Sequence, residues 1–240
     1  MFSKSTSLFI FILCLATFLS HLQAEQTPKI KAVVFDFGGV IAKTDRNEVA
    51  HFIAQTLNIS TDQVIELIAQ LKVRALEGKN ERGFWLDYAN SKGIKLPDNW
   101  LEQLNEVRFH ALKIIPGMVD LVKNLQKQGY QTALLSNVKE SKAQIKRHLG
   151  LYELFHPALF SYEIGVSKPN LEVYHILLER LKMNPEQVLF IDNKPLNVEA
   201  AKSLDIDAVL FVNTNQLTED LKQRGINISF PTESRPSINK

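Results

Sequence analysis

The chain has 240 residues, 45% of them hydrophobic, a formal charge of +2 at pH 7 and one cysteine, enough for one large domain with an insertion. So small a charge, with no basic run interleaved with aromatics, argues against nucleic acid as a partner. A single cysteine excludes a disulfide framework.

Taken in chain order, Lys4 precedes a nearly continuous apolar stretch over 8–19. At about a dozen residues it is short for a bilayer span and suited to the core of an export signal. A cut after Ala24 gives an exported, periplasmic or secreted protein with no stable membrane insertion. Leu22 is larger than the residue preferred three positions before a cut, so an uncleaved anchor is the alternative. Cys14 lies inside this segment, and the mature chain would have no cysteine.

Residues 32–35, Ala32, Val33, Val34 and Phe35, form an unbroken apolar run, the pattern of a strand buried on both faces of a parallel sheet. The run ends on Asp36, and Gly38 and Gly39 allow a sharp turn after it. Helical spacing follows. Val49, Phe52, Ile53 and Leu57 mark one face. Val64, Leu67, Ile68, Leu71 and Ala75 mark a second, behind a capping box from Ser60 to Gln63. Phe84, Trp85 and Tyr88 mark a third. Trp100, Leu101, Leu104, Val107 and Leu112 mark a fourth, with Pro97 expected at its first turn. Four helices with no strand between them must bury their own apolar faces, which makes 44–113 an all-helical cap. Phe84, Trp85, Tyr88, Arg74 and Arg82 are candidates to face its pocket, although most aromatics in a small bundle are core.

Pro116 and Gly117 end the insertion. Beyond them the pattern alternates: strands over 130–135, 158–160, 188–191 and 208–212, and helices around Leu121, from Lys139 through His148, over 171–181 and over 198–204. The expected organisation is a signal segment at 1–24, a Rossmann-like α/β core from 25–43 and 114–224, the cap at 44–113, and a loosely held tail at 225–240.

Four expected strands lead to polar groups: Asp36, Ser136, the Lys168 segment and Asp192. One alone is an ordinary cap or turn former. Four at the same edge of one sheet would converge on a single crevice. Two close carboxylates repel unless a cation lies between them, and Mg2+ binds through one or two carboxylates together with water and phosphate oxygens. A serine and a lysine beside such a cation suit phosphoryl transfer.

In order and spacing these segments resemble the haloacid dehalogenase superfamily: Asp36, Phe37, Gly38, Gly39 and Val40; then Leu134, Leu135, Ser136 and Asn137; then Lys168 and Pro169; then Phe190, Ile191, Asp192 and Asn193. Within it the chain is similar to the subset of α-glucose-1-phosphate phosphatases and relatives of the N-terminal domain of soluble epoxide hydrolase. The resemblance implies that Asp36 is a nucleophile forming an aspartyl-phosphate. It implies that Ser136, Asn137 and Lys168 bind the substrate phosphate or shape its loop, with Lys168 also neutralising Asp36. Mg2+ is implied on Asp36, Asp192, the Gly38 carbonyl and Asn193, and a small phosphorylated metabolite as substrate.

Two departures stand out. Gly38 occupies the position where related phosphatases carry a general-acid aspartate, a group worth about two to four orders of magnitude in rate. Asn193 replaces a second acidic residue. A substrate with a good leaving group, such as a sugar 1-phosphate, would fit the missing acid. The alternatives left open are a metal-independent dehalogenase-type hydrolase and a phosphate-ester-binding module with impaired turnover. Oligomeric state is not readable from the sequence.

Overall fold

The computed structural model describes residues 30–76, 80–147 and 150–229. Five parallel strands form its central sheet: β1 (Ala32–Phe35), β4 (Gln131–Ser136), β5 (Ala158–Phe160), β6 (Val188–Asp192) and β7 (Asp207–Leu210). They lie in the order β5-β4-β1-β6-β7. The chain builds outward from β1 through β4 to β5, then returns to the other side of β1 for β6 and β7. That reversal opens a crevice at the carboxyl ends of β1, β4 and β6, the edge that receives Asp36, Ser136 and Asp192.

Residues alternate between the two faces of β1, as a strand requires. Val33 and Phe35 pack with Met118, Leu121, Leu217 and Leu221, from helices α5 (Met118–Lys127) and α10 (Thr214–Gln223). Ala32 and Val34 pack with Val173, Leu177, Val198 and Ala201, from α8 (Leu171–Leu181) and α9 (Pro195–Lys202). With both faces covered, β1 has no polar residue until Asp36.

The inserted segment holds four helices, α1 (Arg46–Leu57), α2 (Thr61–Leu76), α3 (Glu81–Ser91) and α4 (Trp100–His110). Their apolar faces close on each other around Ile53, Val64, Trp85, Trp100 and Leu104. The Ser60–Gln63 capping box forms in both directions: the Ser60 amide donates to Gln63 Oε1 at 3.0 Å and the Gln63 amide to Ser60 Oγ at 3.2 Å. Phe84 and Trp85 are buried in this core and Arg82 is exposed. The side chain of Arg74 lies outside the described set.

Three expectations are corrected. A short antiparallel ribbon, β2 (Ala42–Thr44) and β3 (Leu112–Ile114), joins cap to core, so Leu112 is in a strand and not in the fourth helix. Lys43 and Lys113 break the apolar run there, which hid the ribbon. Pro97 stands ahead of α4, in the turn whose carbonyl accepts from the Trp100 amide at 3.0 Å, and not inside its first turn. The segment from Ile226 to Ser229 is held: Ile226 is 1% exposed, and Gln128, which caps α5, and Asn124, within it, donate to the carbonyls of Asn227 and Ser229 at 2.7 Å each. A buried isoleucine and two side-chain amides fix a stretch that has no periodicity of its own.

Candidate active site

Asp36 follows β1 directly and Asp192 closes β6, its neighbour in the sheet. Lys168 reaches both from the segment before α8. Its Nζ donates to Asp36 Oδ1 at 2.8 Å, to Asp192 Oδ2 at 2.7 Å and to the Leu135 carbonyl at 2.6 Å, which uses all three ammonium protons. It also stands 5.3 Å from the centre of the Phe190 ring. Asp36, Lys168 and Asp192 are 7%, 4% and 0% exposed, so water screens these charges little.

The Lys168 ammonium therefore stands between the two carboxylates. Two negative charges share one positive charge, leaving a net charge of about −1 for a further cation. Burial pushes the Asp36 carboxyl above its usual range. Lys168 opposes that shift and Asp192 adds to it.

Asn137 clamps the lysine segment at both ends of one residue. Its Nδ2 donates to the Lys168 carbonyl at 2.8 Å and its Oδ1 accepts from the Lys168 amide at 3.0 Å. The side chain thus holds Lys168 in place and shapes the loop. Ser136 ends β4, 2% exposed. The loop after it is tied by Ser161, whose Oγ accepts from the Val138 amide at 2.9 Å and donates to the Val138 carbonyl at 3.1 Å.

The turn after Asp36 explains the two glycines. Gly39 has φ +92°, which demands glycine, and a Cβ there would also push aside the exposed Asn193 side-chain amide. Gly38 is open. The one atom within 4 Å of where its Cβ would sit is Asp36 Oδ2, at 4.0 Å. Asn193 is exposed and lies over this turn, at the rim of the site.

Asn197 escaped the sequence reading. Its Nδ2 donates to Asp192 Oδ2 at 2.8 Å while the Lys194 amide donates to Asp192 Oδ1 at 2.9 Å, so both carboxylate oxygens are held. The available signal was a polar residue beside Val198 and Ala201 on the buried side of α9.

The donor set fits Mg2+: Asp36 and Asp192 offer carboxylate oxygen alone, the one or two carboxylates that Mg2+ takes together with water and phosphate oxygens. A parallel α/β sheet brings paired carboxylates, a serine and a lysine to its carboxyl edge, and the same chain carries a helical insertion after its first strand.

The chain belongs to the haloacid dehalogenase-like hydrolase family, whose description matches residues 30–205. It is 25% identical over 193 residues to D-ribitol-5-phosphate phosphatase of Bacteroides thetaiotaomicron, covering 74% of this chain and 90% of the relative. It is 29% identical over 109 residues to the phosphorylated carbohydrates phosphatase of Thermotoga maritima, covering 45% and 50%. Bifunctional epoxide hydrolase 2 of Sus scrofa is 25% identical over 143 residues, 56% of this chain and 25% of that protein. Such matches span from a quarter to about half of several relatives. Among solved structures, a HAD-family enzyme from B. thetaiotaomicron shares the fold with a TM-score of 0.62 at 20% identity, over 80% of this chain and 98% of that one.

Proposed function

We propose that this hydrolase is a Mg2+-dependent phosphatase acting on a small phosphorylated metabolite of the sugar or polyol phosphate class. The observation that carries the reading is the pair of carboxylates, Asp36 and Asp192, at adjoining strand ends with Lys168 between them. Relatives named as phosphatases of phosphorylated carbohydrates and of D-ribitol 5-phosphate support the substrate class. A structural neighbour was solved with magnesium and inorganic phosphate, which supports the metal.

In this reading an Asp36 oxygen attacks phosphorus, the bond from phosphorus to the leaving oxygen breaks, and an aspartyl-phosphate forms. Water then attacks that phosphorus, releasing inorganic phosphate and restoring Asp36. Ser136 and Lys168 stabilise the charge on the transferring group. Asp36, Asp192 and the Gly38 carbonyl, with Asn193 at the rim, would hold Mg2+, which would supply neutralisation of the charge on the transferring group. Position 38 offers no proton, so the leaving oxygen takes its proton from water, which favours substrates with good leaving groups such as anomeric phosphates.

The test is a phosphate-release screen over small phosphate esters with and without Mg2+, alongside Asp36→Asn. Phosphate release that needs both Mg2+ and Asp36 supports the reading. Release that a chelator leaves untouched contradicts it. Gly38 favours a second reading, a phosphate-ester-binding module, which tight ester binding without release over hours would establish. We also propose export, from the apolar segment at 8–19; sequencing of the exported protein should give Glu25 as its first residue.

A further inference from the structure

We propose that Tyr174 is a positioning residue for the Lys168–Asp192 pair, acting through Asn197 and Phe190. The inference rests on the phosphatase reading and deepens it. Tyr174 lies in α8, the helix that starts three residues after Lys168, and is fully buried. Its hydroxyl donates to the Asn197 carbonyl at 2.7 Å. Asn197, in the first turn of α9, donates in turn to Asp192 Oδ2. The Tyr174 ring meets Phe190 edge to face, with centroids 5.5 Å apart and planes at 82°. The Lys168 ammonium also stands over the Phe190 ring.

These contacts close a loop: Lys168 to Asp192, Asp192 to Asn197, Asn197 to Tyr174, Tyr174 to Phe190, and Phe190 back to Lys168. Each member is 4% exposed or less. The hydroxyl is the one polar tie in this loop between α8, which follows the lysine, and α9, which carries the amide that orients Asp192. Carbonyl oxygens have two lone pairs and can accept from a helix amide and a hydroxyl together. Losing the hydroxyl therefore orphans nothing and leaves the ring packing intact. What is lost is the register of the α9 first turn, and with it the orientation of the carboxylate that would face the metal. Side chains that hydrogen-bond a metal ligand directly, as Asn197 does Asp192, typically alter affinity or activity by about 10–100-fold, and Tyr174 acts through Asn197 at the low end of that range.

The experiment compares wild type, Tyr174→Phe and Leu177→Ala. Leu177 is buried on the same helix and has no part in the loop. Mg2+ affinity is read by calorimetry without substrate, Tm by melting, and kcat and KM by phosphate release. Tyr174→Phe should bind Mg2+ about tenfold more weakly and lose kcat with the KM for the ester unchanged, at a near-wild-type Tm. Leu177→Ala should lose Tm and keep the Mg2+ affinity. Wild-type affinity and kcat in Tyr174→Phe would overturn the positioning role and leave the phosphatase reading standing. A wild-type protein that binds no Mg2+ would overturn both.

Discussion

In the sheet core the charged side chains are 1%, 10% and 0% exposed at Lys168, Asp36 and Asp192, and one ammonium serves two carboxylates. In the cap the charged pair of Arg108 and Glu81 is 17% and 24% exposed, and Lys142 adds a second positive charge to the one that Glu81 meets in Arg108. Arg108 Nη1 donates to Glu81 Oε2 at 3.3 Å and Nη2 to Oε1, while Trp85 Nε1 donates to Oε1 at 3.3 Å. The cap pair is complete as it stands. The core triad keeps an excess negative charge at an edge where ligands enter, and it holds that charge at a cost in folding stability. Uncompensated negative charge in the least screened part of the molecule is the physical mark of a working site, and a carboxylate fully compensated by cations, as in the cap, is the mark of a scaffold.

The largest effect that sharpens this contrast is a gain. Gly38→Asp places a carboxyl beside Asp36 Oδ2 where the structure has room. It should raise kcat on ordinary alkyl phosphates by about 10²–10⁴-fold, and less on sugar 1-phosphates, as read by phosphate release. Equal gains on both would show that leaving-group chemistry is not what the missing acid limits.

Next is Lys168→Met, which removes the shared cation from two buried carboxylates. Folding stability at neutral pH should fall by about 3–5 kcal/mol, measured by denaturant unfolding. The deficit should shrink as the pH is lowered, because Asp36, already raised by burial, takes up a proton and its charge disappears. A variant as stable as wild type at neutral pH would break the claim that the core triad is electrostatically strained.

The smallest effect is in the cap. Burial alone raises the Glu81 carboxyl, but the hydrogen bonds and charge of Arg108, helped by Lys142, outweigh it and hold the group below its ordinary 4.5. A lowered carboxylate contributes stability that is present above its unfolded value and lost as pH falls through the folded one. Melting curves of wild type and Glu81→Gln should differ at neutral pH and converge below about pH 4.5. Phosphate release by Glu81→Gln under stable conditions should stay within a few fold of wild type.

The same contrast accounts for what the sequence made legible. β1 is visible because both faces are buried, so Ala32 to Phe35 has no polar residue, and Asp36 is conspicuous where that run stops. Ser136 and Asp192 follow from the same rule, since in a parallel sheet every strand delivers its last residue to one edge; Lys168 does not, because β5 ends at Phe160 and the lysine arrives eight residues later, from the segment before α8. The roles of Asn197 and Tyr174 were hidden, because each looks like an ordinary helical residue until α8 and α9 pack and bring them together. So did the commitment of Asn137 to the Lys168 backbone, which depends on a contact between residues 31 positions apart. The β2–β3 ribbon stayed hidden because three-residue strands with a lysine at the centre carry too short a pattern to read.

The central claim is that Asp36 takes the phosphoryl group. The direct measurement is acid quenching of the Mg2+-loaded protein during turnover of a phosphate ester, followed by peptide mass analysis. The account requires a gain of one phosphoryl group on the peptide containing Asp36, absent from Asp36→Asn. Turnover with no such adduct, or an adduct that persists when Asp36 is replaced, would contradict it.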